Sequence, residues 1–290
     1  MSAASIIETV TVRGVRMAYE EAGAGRPLVC VHGNYASKRW FTEQLAAPPT
    51  GWRVIAPDLP NFGDSGALPG AVSIEAYASF LRRFLDELGL EQVVLLGHSL
   101  GGAVAQVFAS GLPNRLEGLI LVASAPPGSL YGLPGGLPQG VKLPKLNLKG
   151  LKLPAGVKLP KLPEGLKLPQ VGKQSRSQLA SSLKPTMPSR VPPYFDAIVD
   201  DAVNMNPGAV GGNMQALMRY NTANLGTFTA PTLVLRGARD TIITEAMARK
   251  TVKAFPNGRL ELWQEVGHSP QIEAPERFNK LLEDYLQGLA

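Results

Sequence analysis

The strongest constraint on this chain is the pentapeptide Gly97-His98-Ser99-Leu100-Gly101, because of what flanks it. Residues 92–96 before it form an apolar, β-favouring run, and residues 100–110 read as a helix opening on a glycine pair. A buried strand that turns sharply into a helix crowds two backbones together, and glycines stand on both sides of Ser99 where a side chain would clash. Such a corner holds the serine hydroxyl clear of the sheet. It belongs to α/β architecture rather than to an all-helical or all-strand fold.

The rest of the pattern agrees. Residues 10–21 alternate loosely as two short strands around Gly14, and residues 27–31, 52–56, 119–123, 232–236 and 259–264 read as short strands. Between them, residues 73–89 carry Ile74, Tyr77, Phe80, Leu81, Phe84, Leu85 and Leu88 on one helical face, with Ser73 as N-cap. Residues 275–287 read as the last helix. Buried strands alternating with helices predict an α/β fold with a mostly parallel central β-sheet and helices on both faces. With 290 residues, 44% apolar and 18% charged, the chain can bury one substantial core and is globular rather than disordered.

One long interruption separates two core segments, 1–125 and 228–290, and residues 126–227 are read as an inserted cap or lid. Residues 140–155 (GVKLPKLNLKGLKLPA) and 156–170 (GVKLPKLPEGLKLPQ) are a tandem duplication with one residue lost, in which Lys-Leu-Pro occurs five times. Prolines at this density exclude a helix, so the repeat is expected to be extended, polyproline-like or irregular. Helical spacing returns from about Ser175, through residues 194–205 and 213–224. Residues 126–190 hold eleven Lys and Arg against the single acid Glu164, so the net charge of +6 conceals a remainder at −4. The basicity therefore describes one segment. The repeat can be a solvated insertion, an acyl-binding entrance with leucines inward and lysines in water, or a surface resting on an anionic membrane. Nucleic acid is not an expected partner, since only Tyr131 near the repeat could stack on a base.

A serine hydroxyl becomes a useful nucleophile only when a base takes its proton. Of the three histidines, His98 adjoins Ser99 and is expected to point elsewhere, and His32 leads into the loop after the third strand. His268, in Val266-Gly267-His268-Ser269-Pro270 after a late strand, is the candidate base. No two histidines have ligand-like spacing, so no metal is expected. Where a serine sits in a strand-to-helix elbow, the orienting carboxylate falls between serine and histidine in chain order. Asp240, after the run Leu233-Val234-Leu235-Arg236-Gly237, fits; Asp196, Asp200 and Asp201 lie on an inserted helix and read as its solvated face. Backbone N–H donors for an oxyanion are expected from Leu100, at a helix start, and from His32-Gly33-Asn34-Tyr35, with Asn34 the choice.

Over residues 10–124 and 229–289 the chain resembles the α/β-hydrolase superfamily, through His32-Gly33-Asn34, residues 58–65 (DLPNFGDS), the elbow and the Asp240/His268 pair. The 58–65 stretch resembles that family's structural turn after the fourth strand. The His32-Gly33-Asn34 opening is similar to haloalkane dehalogenases, whose nucleophile is an aspartate, a position that Ser99 fills here. The resemblance implies a cofactor-free serine hydrolase of carboxylic esters, with an apolar small-molecule acyl substrate and an acyl-enzyme on Ser99. A perhydrolase or haloperoxidase, an acyltransferase, and a binding or membrane-surface protein with a retained triad are the alternatives. The first residues contain no basic stretch leading into a long apolar run, no segment approaches a membrane span, and a single cysteine, Cys30, lies in an apolar strand. A cytoplasmic location is expected.

Overall fold

The structure, a computed structural model, describes residues 5–128, 174–222 and 224–289. The Lys-Leu-Pro duplication and Tyr131 lie outside the described residues. Eight strands form one sheet: β1 (Ile6–Val12), β2 (Val15–Gly23), β3 (Arg26–Val31), β4 (Trp52–Pro57), β5 (Val93–His98), β6 (Leu116–Val122), β7 (Thr232–Gly237) and β8 (Gly258–Trp263). Their spatial order is β1-β2-β4-β3-β5-β6-β7-β8. The β1/β2 and β2/β4 pairs are antiparallel and every other pair is parallel. The helices are α1 (Thr42–Ala46), α2 (Ile74–Glu87), α3 (Leu100–Gly111), α4 (Arg176–Leu183), α5 (Phe195–Asn204), α6 (Pro207–Arg219), α7 (Glu245–Lys253), α8 (Pro270–Glu273) and α9 (Pro275–Gln287).

Period-two alternation divides the core between the two faces. Along β3, Val29 and Val31 pack with Leu81 and Phe84 of α2 and Val104 and Phe108 of α3. Leu28 and Cys30 face the other way, into the cluster holding Leu45 of α1 and Phe278 and Leu282 of α9. Ser73 caps α2, its Oγ accepting the Ala76 N–H at 3.0 Å, a contact whose loss typically costs about 1 kcal/mol.

The strand order reverses between β3 and β5, since β4 lies on one side of β3 and β5 on the other. In open parallel sheets the crevice beyond the carboxyl ends of strands at such a reversal is where ligands bind. The loops after β3 and β5 carry residues 32–35 and Ser99, so topology alone brings these two motifs side by side. The corner after β5 needs its glycine: a Cβ on Gly101 would lie 2.2 Å from the Val31 carbonyl oxygen. The buried Lys38–Asp58 ion pair (2.8 Å) ties the segment after β3 to the turn after β4. Asp58 also accepts the Lys38 and Asp64 N–H groups at 2.6 and 2.9 Å. Burial works to lower the Lys38 pKa, but Asp58 and Asp64 outweigh it and leave the ammonium above its ordinary value.

Three details depart from expectation. The first hairpin begins earlier, at Ile6, and ends later, at Gly23. The helix expected over 213–224 runs instead over Pro207–Arg219, where the Asn206 side chain accepts the Gly208 N–H at 3.0 Å and starts it. Asp201 does not belong to a solvated face: its carboxylate accepts from Ser37 Oγ (2.5 Å) and Arg39 Nε (2.9 Å), joining α5 to the segment after β3. Asp196 and Asp200 are exposed, as expected, and pair with Arg176. Among the described residues no helix is long and apolar enough to cross a membrane.

Candidate active site

Ser99 sits between β5 and α3 at φ 53°, ψ −112°, a conformation that L-residues rarely adopt and that typically stores about 1–3 kcal/mol. It is held there by its N–H donating to the Val122 carbonyl at 3.0 Å and its own carbonyl accepting from Gly102 at 3.0 Å. Leu100 is the first residue of α3, so its N–H has no intrahelical acceptor and lies at the positive end of the helix dipole. Gly33 passes close by: a Cβ there would lie 3.0 Å from both Ser99 Cβ and His98 Nδ1. His32 holds this loop, its ring bridging the Gly33 carbonyl (2.8 Å) and the Leu59 N–H (3.1 Å). Because the Leu59 amide can only donate, Nε2 is the acceptor and Nδ1 carries the hydrogen; burial pushes the ring pKa below its ordinary value.

His268 and Asp240 meet although they leave different strands, with Nδ1···Oδ2 at 2.8 Å. The Asp240 carboxylate is fully buried. Its other oxygen accepts the Ile242 and Ile243 N–H groups at 2.8 and 3.0 Å. Burial drives the Asp240 pKa upward, but His268 and the two amides outweigh it, so the carboxyl stays ionised below its usual range. A carboxylate can only accept, which places the hydrogen on Nδ1 of His268 and leaves Nε2 as the basic nitrogen.

Two supports of this histidine carry no local sequence signal. The Glu273 carboxylate accepts N–H groups from Gly267 (2.8 Å) and Ser269 (3.1 Å), on either side of His268, and from Ser189 (3.0 Å) between α4 and α5. His98, expected to point elsewhere, donates from Nε2 to the His268 carbonyl at 2.8 Å, its ring 5.0 Å from that of His268 and stacked on Trp40. Burial, reinforced by His268, pushes the His98 pKa down to about 3. In the unfolded chain it would titrate near 6.5, so on acidification the unfolded state takes up the proton first. Stability is therefore lost as pH falls from about 6.5 toward 3, by up to about 1.4 kcal/mol per pH unit. His98→Gln is expected to remove about 2 kcal/mol of the loss between pH 7 and about pH 5, read from urea unfolding. An unaltered pH dependence would contradict this.

Ser99, His268 and Asn34 line one cavity of about 260 Å³. Its walls are apolar, from Tyr35, Trp40, Leu183, Met214, Leu217 and Ile243, with Ser182 and Thr186 adding hydroxyls. No Lys, Arg, Asp or Glu among the described residues lines it. The connection between β6 and β7 thus supplies part of the wall through α4 and α6. A larger groove of about 570 Å³, around Asp86, Gln92 and Arg115, lies at the amino ends of β5 and β6, away from the serine. Among the described residues no three His, Cys, Asp or Glu side chains gather as a metal site would require.

A mainly parallel sheet with a serine at the strand-to-helix corner and a buried His–Asp pair on the following strand ends defines the α/β hydrolases as a class. The chain matches the model of the alpha/beta hydrolase fold over residues 26–275, and it belongs to that family. It is 30% identical, over 93% of its length and 90% of the relative's, to a 2-hydroxy-6-oxononadienedioate/2-hydroxy-6-oxononatrienedioate hydrolase of Cupriavidus pinatubonensis. A Mycobacterium tuberculosis protein of uncharacterised function is 28% identical over 95% of this chain and 80% of that one. The fold is also that of an esterase from Exiguobacterium antarcticum, with a TM-score of 0.74 at 20% identity over 97% of this chain and all of the other.

Proposed function

We propose that this hydrolase cleaves carboxylic esters of short, neutral, apolar acyl groups through an acyl-enzyme on Ser99. The observation that carries the reading is the convergence of the strained Ser99 corner and the His268–Asp240 pair on one cavity whose described lining is mainly apolar and holds no Lys, Arg, Asp or Glu. The acyl group occupies that cavity. Ser99 Oγ attacks the ester carbonyl as its proton passes to His268 Nε2, and Asp240 stabilises the imidazolium that forms. The Leu100 and Asn34 backbone amides receive the developing oxyanion, each such donor being worth about 3 kcal/mol in the transition state. The imidazolium protonates the departing alkoxide. Water, deprotonated by the same nitrogen, then attacks the acyl-enzyme, and His268 passes that proton to Ser99 Oγ as the acid leaves. Nothing in this sequence of steps requires a cofactor.

The dioates named for the Cupriavidus relative carry two carboxylates, and a cavity without a lysine or arginine among its described lining residues gives such anions no partner. Neutral acyl groups suit it better. Its volume of about 260 Å³ lies just below the roughly 300–1,000 Å³ usual for ligand pockets, which favours short acyl chains. The insertion, 126–227, acts in this reading as a cap over the site, and the enzyme works in the cytoplasm on a small-molecule ester.

A chain-length series of p-nitrophenyl esters tests this with wild type and Ser99→Ala. Short-chain esters are expected to be hydrolysed best, with the activity lost in the variant. Hydrolysis indifferent to the substitution, or none by the wild type, would contradict it.

A further inference from the structure

We propose that the side-chain amide of Asn34 is a substrate-recognising donor aimed into the cavity, and that Asn213 of α6 sets its direction. The inference rests on the ester-hydrolase reading, in which the acyl group fills that cavity. Four buried or half-buried side chains form a line from the core to the site: Asn61, Tyr77, Asn213 and Asn34. The direction of every bond in it follows from one backbone group. The Leu68 N–H, which can only donate, points at Asn61 Oδ1 at 2.9 Å. That turns Asn61 Nδ2 toward the Tyr77 hydroxyl at 3.4 Å, so the hydroxyl accepts there and gives its own hydrogen to Asn213 Oδ1 at 2.7 Å.

Asn213 is left with Nδ2 facing Asn34, whose Oδ1 accepts it at 2.9 Å. The amino group of Asn34 is thereby left over, and Asn34 lines the cavity beside Met214 and Leu217 of the same helix that carries Asn213. Tyr77 and Asn213 are fully buried, so water does not compete for these bonds. Close packing of α6 makes the reach possible: Gly212 lies so near Val72 that a Cβ would meet it at 2.9 Å. An oriented donor in an apolar, uncharged pocket selects acyl groups that carry a neutral hydrogen-bond acceptor, such as an ether or carbonyl oxygen. Asn213 is then a positioning residue and Asn34 the group that touches substrate.

The test compares p-nitrophenyl methoxyacetate with p-nitrophenyl butanoate, which match in length and differ in one ether oxygen. Intrinsic reactivity cancels when the ratio of their kcat/KM values is compared between enzymes. Asn213→Asp cannot donate to Asn34 and can accept from it, so the Asn34 amide reverses and presents its oxygen to the cavity. The methoxyacetate preference is expected to fall about fivefold, the worth of one neutral hydrogen bond. Asn34→Leu, which keeps the backbone amide, should lower the same ratio and covers the case in which the buried carboxylate prevents folding. A ratio unchanged in folded, active variants would overturn the inference while leaving ester hydrolysis intact. Absence of Ser99-dependent turnover of both esters by the wild type would overturn the two together.

Discussion

Ser99→Gly is expected to abolish ester hydrolysis and, at the same time, to raise the melting temperature. The catalytic loss follows from removing the attacking oxygen: in enzymes of this mechanism a missing nucleophilic serine lowers kcat on the order of 10⁶-fold. The gain in stability has a separate origin. At φ 53° and ψ −112° the serine Cβ crowds the backbone, whereas glycine occupies this region without penalty. Relief of about 1 kcal/mol, after the entropy cost of an added glycine, corresponds to an increase of roughly 2–4 °C. Calorimetry beside a p-nitrophenyl butanoate assay reads both effects. An inactive but less stable variant would show that the corner stores no strain, and an active one would move the nucleophile elsewhere.

Asp240→Asn is expected to lower kcat about 10⁴-fold with little change in fold, through the proton on its neighbour. The Ile242 and Ile243 amides can only donate, so the introduced amide must keep its oxygen toward them. Its NH₂ group then faces His268 Nδ1, which has to become the acceptor. The hydrogen moves to Nε2, and the nitrogen facing Ser99 loses the lone pair that would take the serine proton. Nitrogen-15 NMR of the imidazole reports the exchange of tautomers directly. A variant that keeps the wild-type tautomer yet loses activity would show that Asp240 acts by charge alone.

Much of the site was legible because its parts mark themselves locally. Ser99 and Asp240 each follow a short apolar run at a strand end, His268 follows the last strand, and a parallel sheet gathers all such ends at one edge. Ser73 announced the start of α2 for a similar reason, since an N-cap bonds within its own turn. The remaining contacts carry no motif of their own, and two of the three join distant segments. Glu273 braces the His268 loop, His98 donates to the His268 carbonyl, and Asn213 reaches Asn34 across 179 positions. None of these partners is adjacent in sequence. The helix α7 carries little periodic signal because only Met247, Ala248 and Thr251 on it are buried, and Gly208, Gly211 and Gly212 weaken the helical signal at the start of α6. Asp201 resembles its exposed neighbours in sequence and differs only in what packs above it, Ser37 and Arg39.

The central claim is that Ser99 forms the covalent intermediate, and the most direct test is stoichiometric labelling with diethyl p-nitrophenyl phosphate. One p-nitrophenol is expected to be released per chain, with activity lost in step with it and tandem mass spectrometry placing the diethylphosphoryl group on Ser99. A label on another residue, or full inactivation with Ser99 unmodified, would contradict it.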